Sequence, residues 1–148
     1  MHPGFQSEFF TVATGDGRHC ILAEQQVYVA LDGRVFIIPA GAPTDGASTP
    51  AIIWAQIPPW GTYWRAAILH DSSYQNTLRI AVFPDGKICS DLSIATQVVA
   101  GLEKDDCDNL LFEAMGFCGT HDLTRNEIFH GVHLFGQSSF DEDRRINP

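Results

Sequence analysis

The stretch VYVALDGRVFII, residues 27–38, constrains this chain more than any other. Two runs of β-branched and aromatic residues flank Asp32-Gly33. Such residues suit a pleated, half-buried surface. Asp-Gly between two of them is the strongest short hairpin signal a sequence carries. FFTVAT and CILAE upstream read as further short strands, punctuated by Gly and Asp. Pro39 closes the last run, because proline cannot donate to a sheet ladder.

The second half has helical character. GTYWRAAILHDSSY predicts a helix that starts near Thr62, a good N-cap, and runs to Tyr74. FPDGK (83–87) predicts a turn, and SDLSIATQVVAG a short helix. DDCDNLLFEAMG predicts a helix capped by Asp105 and closed by Gly116 at the C′ position, with Asp108 at N3. LTRNEIFHGVHLFG opens with Thr124 and Glu127 at capping-box spacing. The tail SSFDEDRRINP is polar and expected to fray. One α+β domain over residues 1–148 is expected, with an N-terminal antiparallel sheet packed against C-terminal helices.

With 148 residues and 45% hydrophobic side chains, the chain can bury a real core. Nine Lys plus Arg against eighteen Asp plus Glu give a formal charge of -9. Such a surface repels phosphate backbones, so no nucleic-acid partner is expected. It favours cations. No apolar run reaches the roughly 18 residues a membrane helix needs, and no membrane partner is expected. MHPGFQSEFF lacks a basic leader and an apolar core segment, so no signal peptide is expected there. The expected location is cytoplasmic. The cysteines at 20, 89, 107 and 118 have no C-x-x-C spacing and read as free, mostly buried thiols.

Three polar motifs carry chemistry. In AILHDSSY, helical spacing puts Ala67, His70, Asp71 and Tyr74 on one face. Adjacent His and Asp on a helix suit metal ligation better than a Ser/His/Asp triad, where the aspartate must orient its histidine. They also suit a plain pair near a helix C-terminus. PAGAPTDGASTP (39–50) places Asp45, flanked by small residues, in a loop open to close approach. Asp45 equally suits an Asx turn, and Ser48 a cap or turn closure. In DDCDNLLFEAM, Asp105, Asp106 and Asp108 form a reasonable cation site, although helix-dipole complementarity alone explains them. His130 and His133 have metal-compatible spacing but no third ligand nearby in sequence, which favours surface or core packing.

These pieces occur in order: VFIIPAGAPTDGASTP, AAILHDSSY, DNLLFEAM and a closing FHGVHLFG. Together, from about residue 20 to 136, they resemble the phage and prophage family catalogued as domain of unknown function 1353. The resemblance implies that Asp45, Ser48, His70, Asp71, Tyr74, Asp108 and Glu113 belong to one family pattern. It implies that the three polar motifs share a site, and it brings no activity with it. The chain departs from the pattern at Ala42-Pro43, at Ser73, and in a longer segment over 75–104.

The leading functional expectation is a small metal-dependent hydrolase acting on a cell-wall amide or a phosphoester. Asp45, His70, Asp71 and Asp108 would hold a divalent ion, zinc or manganese, that activates water. Ser48 or Tyr74 would orient substrate or stabilise developing charge. The alternative is a non-enzymatic phage accessory or virion-associated module that binds a protein. There the Asp and His side chains form a structural network, and Trp54, Trp60 and Trp64 form an aromatic contact surface. A weaker third reading is a metal-free hydrolase using Ser48.

Overall fold

The computed structural model describes residues 1–13, 15, 20–44 and 62–148. Eight strands lie among them: β1 (Gly4–Phe5), β2 (Thr11–Ala13), β3 (Cys20–Leu22), β4 (Gln26–Val29), β5 (Val35–Ile38), β6 (Pro43–Thr44), β7 (Arg79–Val82) and β8 (Thr96–Val99). Four helices follow or interleave: α1 (Trp64–Tyr74), α2 (Lys104–Phe117), α3 (Asp122–Phe135) and α4 (Gln137–Ile146). The fold is α+β, with antiparallel sheet toward the N-terminus and helices toward the C-terminus, as expected.

The strands form a five-stranded sheet, ordered β1-β4-β5-β7-β8, and a three-stranded sheet, ordered β2-β3-β6. All their pairings are antiparallel. The Asp-Gly hairpin is β4–β5, with Val29 opposite Val35 and Gln26 opposite Ile38. Gly33 takes a φ of 91°, which Gly adopts without steric penalty. Asp32 accepts the Arg34 amide at 3.0 Å and so closes the turn.

Every residue of β5 is buried. Phe36 and Ile38 face the main core, together with Tyr28, Ile68, Leu69, Leu111 and Met115. Val35 and Ile37 face a smaller cluster with Val29 and Ala81, against which Leu92 and Ala95 pack. Helix α1 lies at the centre of the main core, with Ala66 through Tyr74 all buried. Its small Ala66 and Ala67 permit close packing, and a helix with this little amphipathic contrast belongs in an interior.

Several local expectations are corrected. SDLSIATQVVAG is not a helix: Thr96–Val99 is a strand, paired to Arg79–Val82. The FPDGK turn feeds this hairpin, with Gly86 N–H donating to Phe83 O at 2.8 Å, and adjacent Val98 and Val99 favour a strand. Tyr63, not Thr62, is the N-cap of α1 and makes no side-chain cap bond. Glu103, not Asp105, occupies the N-cap of α2, which puts Asp105 and Asp106 in the first turn. That helix runs past Gly116 to Phe117; the left-handed residue is Gly119, at φ 72°. His121 caps α3 by accepting the Leu123 amide, so the Thr124–Glu127 box is not used.

The tail is helical rather than frayed. Phe140 packs edge-on to Tyr74, with ring centroids 5.2 Å apart. Arg144 donates to Ser73 O, Tyr74 O and Leu102 O at 2.9, 3.1 and 2.6 Å. A guanidinium there satisfies carbonyls at the end of α1 and complements its dipole. All four cysteines are free, with Cys89 and Cys107 buried and Cys20 and Cys118 half-buried. No helix among the described residues is long and apolar enough to cross a membrane.

Candidate functional site

Asp108 sits on the inner face of α2 with no exposed surface. A carboxylate cannot be buried there without donors, since stripping its hydration costs several kcal/mol. Two helices supply three of them. From α1, His70 Nε2 lies 3.0 Å from Oδ1, and Tyr74 donates its hydroxyl to the same oxygen at 2.6 Å. From one turn back on α2, Lys104 Nζ donates to Oδ2 at 2.6 Å. Lys104 also donates to Val132 O and His133 O, at 3.3 and 3.1 Å, in the last turn of α3. One carboxylate and one ammonium thus tie three helices together.

The electrostatics follow from this arrangement. Burial alone would raise the Asp108 carboxyl. The hydrogen bonds from His70, Lys104 and Tyr74 outweigh it and hold the group down at about 2. Burial pushes the His70 imidazole below its ordinary value, more than Asp108 raises it. His70 is therefore neutral at pH 7, and its contact with a carboxylate assigns the proton to Nε2, leaving Nδ1 as the acceptor. Burial, then the bond to Asp108, pushes the Tyr74 phenol up, so it stays a donor. Burial pushes the Cys107 thiol up to about 11, which removes it as a nucleophile.

Outward from Asp108 the site opens. His133 Nδ1 lies 3.6 Å from Asp108 Oδ2 and 3.8 Å from Asp105 Oδ1. Asp105, Asp108 and His133 each offer one ligand atom, all within 4.8 Å of one another. A divalent cation can be held by such a set. Asp105 and His133 are exposed, with side chains 79% and 45% accessible; Asp108 is the buried member.

His70, Tyr74 and Asp108, drawn from two of the polar motifs, meet in space. Asp71 is buried beside them on α1, but the carboxylate that His70 bonds is Asp108, not its sequence neighbour. Asp45 and Ser48 lie outside the described residues, as do Trp54 and Trp60. Trp64 is half-buried and packs against the core, edge-on to Phe9 at 5.7 Å. Glu113 serves elsewhere. It accepts the Tyr28 hydroxyl at 2.7 Å and the Leu31 amide at 3.0 Å, pinning the β4–β5 hairpin to α2.

Lys104 belongs to none of the three polar motifs. Its i, i+4 spacing to Asp108 was the available signal. His133 has no third ligand nearby in sequence, because only the fold brings α3 beside the start of α2.

The fold and this helix clamp define an α+β protein with a buried Asp/His/Tyr/Lys group at its centre. Residues 20–132 match the model of the family described as "Protein of unknown function (DUF1353)". The chain belongs to that family. No curated protein and no solved structure matches it.

Proposed function

We propose that the chain is a non-enzymatic accessory or virion-associated module of phage type, a single domain that acts by binding a protein. On this reading the Asp108 group is structural. The observation that carries it is the state of Asp108: no exposed surface, with both oxygens already engaged by three donors. A catalytic carboxylate must meet substrate, metal or water. The ammonium of Lys104 already supplies the positive charge that a metal would bring to Oδ2. His70 and Tyr74 are likewise buried and turned toward Asp108.

A metal-dependent hydrolase is the second reading, and the Asp105, Asp108 and His133 grouping favours it. A zinc or manganese ion there would compete with Lys104 for Oδ2 and supply an activated water. On that reading Asp45, His70 and Asp71 would be further ligands, with Ser48 or Tyr74 beside the substrate. Thermal melts with chelator and with added zinc or manganese separate the two. The structural reading expects no shift in Tm; the hydrolase reading expects metal to stabilise the fold.

A further inference from the structure

The two edges of the five-stranded sheet are built differently. At one edge β1 is two residues long, and Phe117 of α2 sits against it: a Cβ added at Gly4 would lie 3.0 Å from that ring. At the other edge β8 has four residues, and among the described residues no further strand pairs with it. Val98 and Val99 are 41% and 51% exposed. Neighbouring strand residues point to opposite faces, so neither face of the sheet is covered at this strand. Ile94, just before it, is 61% exposed.

Exposed edges are usually blunted by charge, proline or a bulge. Here none of these is present. From Leu92 to Leu102 the chain carries no charged residue and no proline, although its formal charge is -9. The acidic surface that would repel a second copy is thus interrupted along this edge strand.

The hydrogen-bond register shows what would fit. Ala100 N–H donates to Leu78 O at 2.8 Å, which makes Ala100 and Leu78 a hydrogen-bonded pair. Such pairs alternate along an antiparallel ladder. Val98–Ile80 and Thr96–Val82 are then hydrogen-bonded, whereas Gln97–Ala81 and Val99–Arg79 are not. The backbone N–H and C=O groups of Gln97 and Val99 therefore face outward from the sheet.

We propose that β8 pairs antiparallel with β8 of a second copy of this chain, about a two-fold axis through Val98, joining the two five-stranded sheets. In that register Gln97 and Val99 of one copy exchange backbone bonds with Val99 and Gln97 of the other. Val98 meets its own symmetry mate in a non-hydrogen-bonded pair, where β-branched side chains contact closely. No like charges oppose one another. The interface is isologous, as a two-fold requires, and it is small, so the Kd is on the order of 0.1 mM. This proposal goes beyond the accessory-module reading and stands without it.

The test uses the intact chain, by sedimentation from ~10 µM to ~1 mM together with amide hydrogen exchange. The expected result is a monomer–dimer equilibrium that tightens as salt screens the acidic surfaces. The Gln97 and Val99 amides should gain protection as concentration rises. Val98→Lys should weaken the dimer by at least about tenfold, since it places like charges opposite each other. Gln97→Pro should do the same while leaving the melt unchanged, because the N–H it removes faces outward. A strict monomer at ~1 mM overturns the proposal. So does a dimer that forms without protecting Gln97 and Val99.

Discussion

The ammonium of Lys104 lies 2.6 Å from Oδ2 of Asp108, one helical turn away on the same helix. Their side chains are 9% and 0% exposed. A surface i, i+4 pair contributes a few tenths of a kcal/mol, but this one behaves differently because water cannot replace either partner. Its value depends on the donors and acceptors around it: His70 and Tyr74 on the carboxylate, the end of α3 on the ammonium.

Asp108→Asn should therefore be far more damaging than its size suggests. It leaves the ammonium facing a neutral amide, and losing one member of a buried pair costs about 3–5 kcal/mol. Lys104→Met should cost a similar amount. Urea unfolding of both single variants and the double variant tests the coupling. The double should be less destabilised than the sum by about 1–3 kcal/mol. Simple additivity would mean the two groups act separately.

Acid should weaken the fold in two stages. Asp108 has a folded value of about 2, below the ordinary 3.8. A depressed carboxylate gives stability that is complete above its unfolded value and lost as pH falls toward the folded one. The loss should fall between about pH 4 and pH 2 and be on the order of 2 kcal/mol. His70, held neutral by burial, acts earlier. The unfolded imidazole takes a proton that the folded one resists, so stability should begin to drop below about pH 6.5. Asp108→Asn should abolish the lower stage. A pH series of melts that is flat from 7 to 4 would contradict the placement of His70.

Gly136 marks where α3 meets the Asp108 group. A Cβ there would lie 2.8 Å from the Tyr74 hydroxyl and 2.4 Å from Val132 O. Gly136→Ala must displace the hydroxyl that bonds Asp108, and overpacking of this kind costs about 1–3 kcal/mol. Gly116→Ala is the control. Its Cβ meets the Arg125 guanidinium at 3.1 Å, a contact that a shift of a few tenths of an ångström in that side chain relieves. That change should be close to neutral or slightly stabilising, since alanine is the better helix former. Equal effects in thermal melts would show that Gly136 has no special role.

Much of the fold was legible because it rests on local signals. The Asp32-Gly33 hairpin and the α1 segment ending at Tyr74 follow from β-branched runs, turn chemistry and helical spacing. Thr96–Val99 was misread because a short apolar run fits either period; its partner strand decided the matter. The tail was misread for a related reason. Its polar sequence hides Phe140 and Arg144, whose anchors lie on α1 and in the loop at Leu102. At the site, His70, Tyr74 and Asp108 were each visible as motif residues. Their roles were not, because the donor that completes Asp108 is a lysine, a type usually solvated at surfaces.

Arg144 gives the tail a measurable role. Arg144→Ala removes three charge-assisted bonds to backbone carbonyls. The expected loss is about 2 kcal/mol, the usual size for a hydrogen bond to a charged group whose partner is left buried. Hydrogen exchange should show loosening concentrated at α4 and the end of α1. Unchanged protection there would return the tail to the frayed state its composition suggests.

The central claim is that the cation serving Asp108 is the protein's own Lys104, so the clamp needs no metal. The most direct measurement is the Tm of the wild-type chain under three conditions: as purified, with excess chelator, and with added zinc or manganese. The three melts should coincide. A Tm that falls with chelator, recovers with zinc or manganese, and loses that response in His133→Ala would contradict the claim and put a metal at Asp105, Asp108 and His133.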